Sequence, residues 1–221
     1  NVKLLKYNFG FFGFFKSFFR IFLIVYKLKP QIIHSHLLIS NLIVRVISIF
    51  FNKPVIINSA HSISENYSFV FFLYRVTHPL VDLFSNVSNL ATNSFIKKTG
   101  LNKTDIVTIY NGVDFDKFKR ETSFYKNRTN KLNIIAIGSL NNRYKDFTTL
   151  IKAFKLIKEK IPYANLKLVG DGPDKIKLEK LCESLYVDKT IFLGFRHDID
   201  RLLKESDIFI SSSKIESFGL S

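Results

Sequence analysis

The sequence predicts an α/β fold with two units, each built on a parallel sheet. Short apolar segments without polar alternation recur along the 221 residues, as in strands that are covered on both faces. Amphipathic segments of helical period separate these strands. The alternation breaks once, at Asn111-Gly112 and a mixed-charge stretch that predict a turn and a linker. We therefore expect domains at 1–112 and 132–221, joined by a linker at 113–131.

The first unit is expected to alternate strands and helices after Pro30. The second unit repeats the pattern more regularly, with helices marked by leucine and isoleucine at helical spacing. The predicted strands are 31–34, 54–58, 90–92 and 106–109 in the first unit, and 133–137, 165–169, 190–193 and 207–210 in the second. The predicted helices of the first unit are 39–50 and 69–84.

Residues 9–28 are nearly all apolar and raise the question of a membrane segment. Lys16 and Arg20 interrupt them four residues apart, which places both charges on one stripe of a helix. Each charge near a bilayer centre costs roughly 2.5–3.5 kcal/mol on insertion scales. The segment therefore predicts a helix at a membrane interface or packed on a sheet, and not a membrane span.

The net charge and the cysteine count indicate the kind of partner and the cellular compartment of the protein. The chain has 33 basic and 18 acidic residues, a net charge of +15, which favours an anionic partner. The basic residues are dispersed, which favours a membrane surface or a phosphorylated ligand over nucleic acid. A solvated lysine-rich surface is the simpler alternative. The single cysteine, Cys182, excludes an intramolecular disulfide, fits a reducing compartment and is expected in the core.

The strand-end loops of the second unit carry the candidate site. Open α/β sheets bind ligands at the carboxyl ends of their strands, and each of these loops contains glycine. The first loop adds basic side chains beside a helix N-terminus, which predicts an anion-binding corner. The candidate residues are Gly138, Arg143 and Lys145, then Gly170, then Gly194 and Phe195, and last Glu216 and Gly219.

These motifs together resemble the donor-binding domain of glycosyltransferase family 4. The resemblance is carried by residues 137–140, 168–173 and 216–220, and more loosely by 30–36 and 111–114. It implies two Rossmann-like domains of the GT-B type and a retaining glycosyltransferase of the hexosyltransferase type. The family pattern continues beyond both ends of this sequence. We therefore expect both domains to be incomplete and the 221-residue piece to be inactive alone.

The resemblance also assigns residue roles. Lys145 matches the lysine that contacts the donor diphosphate, and Glu216 matches an acid that binds hydroxyls of the donor sugar. The usual arginine partner is replaced by Ser139, so Arg143 is the expected substitute. His61 matches a histidine near the reacting centre, which makes His61 and Glu216 the expected catalytic residues. The backbone N–H groups of Phe218, Gly219 and Leu220 are expected to face the phosphates, and the loops at Gly138, Gly170, Gly194 and Phe195 to line the donor.

The expected reaction is sugar transfer from a nucleotide-sugar donor to a glycan or lipid-linked acceptor, in surface polysaccharide biosynthesis. No cofactor or metal is expected, and the enzyme is expected on the cytoplasmic face of the membrane without nucleic acid as partner. His34 and His36 share a strand face, but no carboxylate pair lies near them in the sequence to complete a metal site. Two alternatives stay open: a nucleotide-sugar 2-epimerase, and a non-catalytic basic module that binds membranes.

Overall fold

The computed structural model describes residues 11–51, 54–61, 68–119, 131–188 and 190–221. Two compact units are present, unit 1 at Asn1–Asn111 and unit 2 at Gly112–Ser221. Of the expected linker 113–131, residues 120–130 lie outside the described part of the chain. The described part of that stretch contains a short helix.

Unit 1 alternates helices and strands, as predicted. Its helices are α1 (Phe11–Leu28), α2 (Leu38–Ser48), α3 (Ser68–Val76) and α4 (Asn89–Thr99). Its strands are β1 (Ile32–His36), β2 (Val55–Ala60), β3 (Leu83–Asn86) and β4 (Val107–Thr108). Short 3₁₀ turns lie at His78–Leu80 and Lys103–Asp105.

The sheet of unit 1 is parallel throughout, with the strand order β1-β2-β3-β4. Helices α1 to α4 pack on the face that carries Ile33, Ala60 and Phe84. The other face presents exposed apolar side chains at the start of every strand: Ile32, Val55, Leu83 and Val107. Within the described residues, this sheet therefore departs from the expected coverage on both faces.

Two predictions for residues 69–92 were wrong, because the helix ends earlier than expected and the segment 90–92 is helical. Helix α3 ends at Val76, and Pro79 lies in the 3₁₀ turn that follows because it cannot continue a helix. The expected strand 90–92 is the first turn of α4. Ser88 caps this helix by accepting a hydrogen bond from the Ala91 N–H at 3.1 Å. The strand at this place in the sheet is β3 instead.

Helix α1 packs on unit 1 through one of its faces. Val25 is buried against Ile43 and Ile47 of α2. The outward face carries exposed Phe19 and Leu23. Within the residues described, no helix combines the length and the apolar character needed to cross a membrane.

Unit 2 contains a second parallel sheet. Its helices are α5 (Phe115–Phe118), α6 (Asn142–Lys145), α7 (Phe147–Lys160), α8 (Lys175–Ser184) and α9 (Ile199–Lys204). Its strands are β5 (Leu132–Ile137), β6 (Ala164–Val169), β7 (Thr190–Gly194) and β8 (Ile208–Phe209).

The strand order of unit 2 is β7-β6-β5-β8. The chain runs outward from β5 to β7 and then returns to the other side of β5, so the order reverses between β5 and β8. Both faces are covered, one through Phe154 of α7 and one through Leu202 of α9. Cys182 is buried in this core, as predicted, and burial raises the pKa of its thiol. The two parallel sheets with alternating helices confirm the predicted fold class.

Candidate functional site

Lys145 and Glu216, two of the predicted site residues, meet in unit 2. Lys145 Nζ donates a hydrogen bond to Glu216 Oε1 at 2.5 Å, and the two side chains are 20% and 33% exposed. Lys145 follows β5 and Glu216 follows β8, the two strands between which the strand order reverses. Open α/β sheets bind their ligands at such a reversal, because the loops on either side separate there and leave a crevice.

Local turn chemistry positions Lys145. Asn141 caps α6 by accepting from the Arg143 N–H at 3.1 Å, and Lys145 is the last residue of this helix. The stem of Lys145 lies over Gly138, where an added Cβ would come within 3.2 Å of the lysine side chain. The absence of a side chain at Gly138 makes room for Lys145, and the expectation that this loop lines the donor stays a prediction.

The loop after β8 is fastened to the loop after β5. Ser212 Oγ donates to the Lys145 carbonyl at 2.8 Å, and the Lys214 N–H donates to the Tyr144 carbonyl at 2.8 Å. The sequence analysis did not select Ser212 or Lys214. Their signal is a serine-rich turn directly after a strand, since short hydroxyl side chains there can satisfy neighbouring backbone groups.

Glu216 is held as a carboxylate. Burial opposes its ionisation, but hydrogen bonds with Lys145 and Ser213 and the charge of Lys145 bring its pKa below the usual value. An ionised carboxylate only accepts hydrogen bonds, and its two oxygens accept several. Glu216 can therefore maintain its hydrogen bond with Lys145 and also accept a hydrogen bond from a ligand hydroxyl.

Arg143 and the N-terminus of α7 are not joined to this contact. Arg143 is exposed, and its guanidinium lies over the Tyr144 ring, 5.5 Å from the ring centre. The N-terminus of α7 is capped by Asp146, which accepts from the Thr149 N–H at 3.4 Å. A carboxylate of the chain thus occupies the helix N-terminus that the sequence suggested for an anion.

Glycine holds the neighbouring loops close together. The Gly138 N–H donates to the Val169 carbonyl at 2.9 Å, and the Gly170 N–H donates to the Gly194 carbonyl at 2.8 Å. Gly170 has a φ of +134°, and a Cβ there would lie 1.9 Å from the Gly138 oxygen. Only glycine fits at this position. The three predicted glycine loops therefore lie side by side at the carboxyl edge.

The remaining predicted donor residues lie at the ends of this edge. Phe195 follows β7, is 71% exposed and meets the ring of His197 edge-on at 4.9 Å. Phe218, Gly219 and Leu220 form an irregular segment after Glu216, in which Gly219 has a φ of +78°. The prediction that their N–H groups face phosphates stays a prediction.

In unit 1, His61 belongs to a histidine cluster at the carboxyl edge of the sheet. His36 Nδ1 and His61 Nε2 lie 3.0 Å apart, and the His34 and His36 rings are 4.3 Å apart. His34 Nε2 lies 2.9 Å from Ser59 Oγ, which lies 2.8 Å from Ser85 Oγ. The sequence analysis missed both serines, although polar residues at the ends of adjacent strands were a signal for them.

Two histidines of this cluster, His34 and His61, have lowered pKa values. Burial, and then the proximity of His36 and His34, lower the pKa of His61. Burial and His36 likewise lower the pKa of His34. Within the described residues, no group of three or more His, Cys, Asp or Glu side chains is arranged to hold a metal ion.

Two family models match the chain. Residues 4–117 match the family model Glycosyltransferase Family 4, and residues 117–221 match Glycosyl transferases group 1. The N-acetyl-alpha-D-glucosaminyl L-malate synthase of Bacillus anthracis is 32% identical over 144 residues, covering 63% of this chain and 37% of the relative. The UDP-Gal:alpha-D-GlcNAc-diphosphoundecaprenol alpha-1,3-galactosyltransferase of Escherichia coli is 24% identical, covering 93% of this chain and 57% of the relative.

A solved structure shares the fold. The Anabaena protein Alr3699/HepE, in complex with UDP and glucose, superposes with a TM-score of 0.77 at 21% identity, covering 96% of this chain and 60% of that one. The chain thus spans about 60% or less of the length of these relatives. Its two Rossmann-like units are those of a GT-B fold, and the chain belongs to glycosyltransferase family 4.

Proposed function

We propose that the protein transfers a sugar from a nucleotide-sugar donor to a glycan or lipid-linked acceptor, with retention, in surface polysaccharide biosynthesis. The contact between Lys145 and Glu216 at the reversal of strand order carries the proposal. It joins a cation suited to a diphosphate with a carboxylate suited to sugar hydroxyls. The substrate class is supported by the relative that is a UDP-Gal-dependent transferase and by the solved structure with UDP and glucose.

The donor is proposed to lie along the carboxyl edge of unit 2. Its sugar contacts Glu216, its diphosphate contacts Lys145, and its nucleoside crosses the glycine loops toward Phe195. The strand order places the loop after β8, with Glu216, and the loop after β7, with Phe195, three strand spacings apart. At about 4.8 Å for each spacing this is roughly 14 Å. This distance suits an extended nucleotide sugar, and an exposed aromatic ring at one end suits base stacking.

Sugar transfer leaves negative charge on the departing diphosphate, and a fixed cation stabilises that charge. Lys145 has three N–H donors, so it can donate to a phosphate oxygen while it maintains its hydrogen bond to Glu216. Arg143 is proposed as the second cation, since its exposed guanidinium can leave the Tyr144 ring at little cost. The N–H groups of Phe218, Gly219 and Leu220 complete the proposed phosphate contacts.

A panel of nucleotide sugars tests the donor site by calorimetric binding. Lys145→Ala and Glu216→Gln should each weaken binding by roughly 10- to 150-fold, because a hydrogen bond to a charged group contributes about 1.5–3 kcal/mol. Lys152→Ala, which changes an exposed lysine of α7, serves as the control and should bind normally. Donor binding by both site variants like the unaltered protein would refute the assignment.

Turnover by the full-length protein distinguishes transfer from epimerisation. The proposed transferase needs an acceptor to change the sugar, and its product keeps the anomeric configuration of the donor. Rearrangement of the donor sugar without acceptor would instead identify a 2-epimerase.

We also propose that α1 rests on the anionic cytoplasmic face of a membrane. Its outward face interleaves exposed apolar and basic side chains, and the helix contains no acid. Such a surface inserts apolar side chains at the headgroup level and attracts anionic lipids. The apolar members described are Phe15, Phe19, Leu23 and Tyr26, and the basic members are Lys16, Arg20 and Lys27.

Vesicle co-sedimentation tests this surface. The protein should bind vesicles rich in phosphatidylglycerol, and the double change Phe19→Ser with Leu23→Ser should abolish binding. Tyr186→Ser, at an 89% exposed tyrosine of unit 2, is the matched control and should bind normally. Equal binding by the double variant would refute the docking face. Vesicle binding without any nucleotide binding would favour the non-catalytic module.

A further inference from the structure

We propose that His36 is a positioning residue for His61. In this arrangement His36 Nδ1 accepts a hydrogen bond from His61 Nε2–H, and His61 presents Nδ1 as an acceptor to a substrate hydroxyl. The inference deepens the proposed function, since it rests on the role of His61 at the reacting centre. It identifies the chemical group that His61 recognises and a second histidine that the reaction requires.

The sheet register brings the two rings together. His36 is the last residue of β1 and pairs with Ser59 of β2. His61 is two residues beyond Ser59, so its side chain returns to the same face of the sheet. The result is the 3.0 Å nitrogen pair, with ring centres 5.2 Å apart and an interplanar angle of 44°. Regular strand geometry therefore maintains the contact.

The hydrogen bond between His36 Nδ1 and His61 Nε2 requires that only one of these two nitrogens carries a proton. If His61 donates, both rings are Nε2–H tautomers, and if His36 donates, both are Nδ1–H tautomers. Neutral histidine intrinsically prefers Nε2–H, so the first arrangement keeps both rings in the favoured form. Protonation of both rings would place two N–H groups against each other and break the bond. The lowered pKa of His61 is consistent with one shared proton.

His34 supports His36 from the other side. Ser85 Oγ lies 3.5 Å from the Asn58 carbonyl, to which it can only donate. In the proposed direction of the chain, Ser85 accepts from Ser59, and Ser59 accepts from His34 Nε2–H. This directional chain holds the His34 ring, which lies 4.3 Å from the His36 ring and limits its rotation. His36 is thus held in place between His34 and His61.

The tautomer decides which substrate group His61 can bind. A bare Nδ1 accepts a hydrogen bond, so its partner must carry a proton. Sugar hydroxyls carry one, whereas diphosphate oxygens at neutral pH do not. We therefore assign a hydroxyl of the transferred sugar or of the acceptor to His61 Nδ1.

Nitrogen-15 NMR of histidine-labelled protein reads the tautomer directly. His61 should show a protonated Nε2 and a bare Nδ1, with the signals assigned by their loss in His61→Gln. His36→Phe should give His61 a mixture of tautomers. His36→Asn should preserve the single tautomer, because the asparagine amide places a polar atom near the position of Nδ1. His78→Gln, which changes a histidine of unit 1 outside this cluster, is the control and should leave the tautomer of His61 unchanged. A protonated Nδ1 in the unaltered protein, or no change in His36→Phe, would overturn the inference.

Kinetics of the full-length protein separate positioning from folding. His36→Phe should lower kcat by roughly 10- to 100-fold, as expected for a misplaced reacting group. His36→Asn should recover most of that loss, and His36→Phe should add nothing to His61→Ala. If His61→Ala transferred sugar normally while the NMR result held, the role of His61 in the proposed function would be wrong and the histidine contact would be only structural. Full recovery by His36→Asn, together with the NMR result, supports the proposal.

Discussion

Each unit contains its own parallel sheet flanked by helices, but the two units differ in the polarity of their buried side chains. Of the ten polar or charged side chains that are buried among the described residues, nine lie in unit 1 and only Ser206 lies in unit 2. Among the described residues of unit 2, the buried side chains other than Ser206 are apolar. Unit 1 carries polar side chains through its interior. The stability of unit 1 should therefore depend more on hydrogen bonds, and that of unit 2 more on apolar packing.

Arg45 shows how the interior of unit 1 is organised. The side chain is fully buried, with its guanidinium 4.3 Å from the centre of the Tyr74 ring. It donates to Asn58 Oδ1 at 2.6 Å and to Thr77 Oγ1 at 3.0 Å. Asn58 in turn donates to Ser35 Oγ at 2.8 Å. Burial lowers the pKa of Arg45 to about 10, with an opposing contribution from Tyr74.

The largest expected effect is the loss of this arginine. Arg45→Ala should destabilise unit 1 by about 4 kcal/mol, because it leaves a cavity and unpaired buried acceptors. Hydrogen exchange should show faster opening in unit 1 alone. The control Arg143→Ala, at an exposed arginine of unit 2, should change stability by less than about 0.5 kcal/mol. Equal protection in Arg45→Ala and the unaltered protein would contradict the contrast between the units.

The second effect concerns the loops of unit 2. Gly170→Ala should cost about 3 kcal/mol, since it combines a positive φ with a clash against the Gly138 carbonyl. Gly194→Ala is the matched change: its φ is +66°, but an added Cβ would meet nothing within 4 Å. It should cost only about 1 kcal/mol. Urea unfolding measures both changes, and equal costs would show that the loops do not approach as described.

A smaller effect is expected in the apolar core of unit 2. Cys182→Ala should cost about 1 kcal/mol, because it removes one buried sulfur and no hydrogen-bonding network of the kind that Arg45 supports. The thiol should react slowly with disulfide reagents in the folded protein, since it is buried and its pKa is raised. If Cys182→Ala lowered the free energy of unfolding as much as Arg45→Ala does, the distinction between the two cores would be wrong.

The smallest expected effect is a difference in the response of the two units to acid. The pKa values of His34, His61 and His78 are all lowered, chiefly by burial, and all three lie in unit 1. Unfolding lets them bind protons more readily, so unit 1 should lose stability as the pH falls below their usual value of 6.5. Glu216 contributes stability to unit 2 that is lost only as the pH falls below its usual 4.5.

Hydrogen exchange measured between pH 7.5 and pH 5 tests this order, because this interval includes the usual histidine pKa of 6.5 and stays above the usual 4.5 of Glu216. Unit 1 should lose protection first. Simultaneous loss in both units would show that the histidines do not govern the response. The variant His78→Gln should reduce the early loss in unit 1.

Sequence patterns alone predicted the alternation of strands and helices and the residues at the strand ends. Both are local properties: periodicity sets the elements, and glycine after a strand marks each loop. The misplaced elements near Leu90 show the limit of local patterns. Short apolar segments there fit either a strand or a helix, and the proline turn and the Ser88 cap decided between them.

Which strand ends meet depends on the tertiary fold. The return of β8 to the side of β5 brings Glu216 to Lys145, and the register of β1 with β2 brings His36 to His61. Strand order and register depend on how helices and sheet pack as a whole. No local spacing in the sequence contains that information, because residues far apart in the chain meet only once the apolar faces of the elements are buried together.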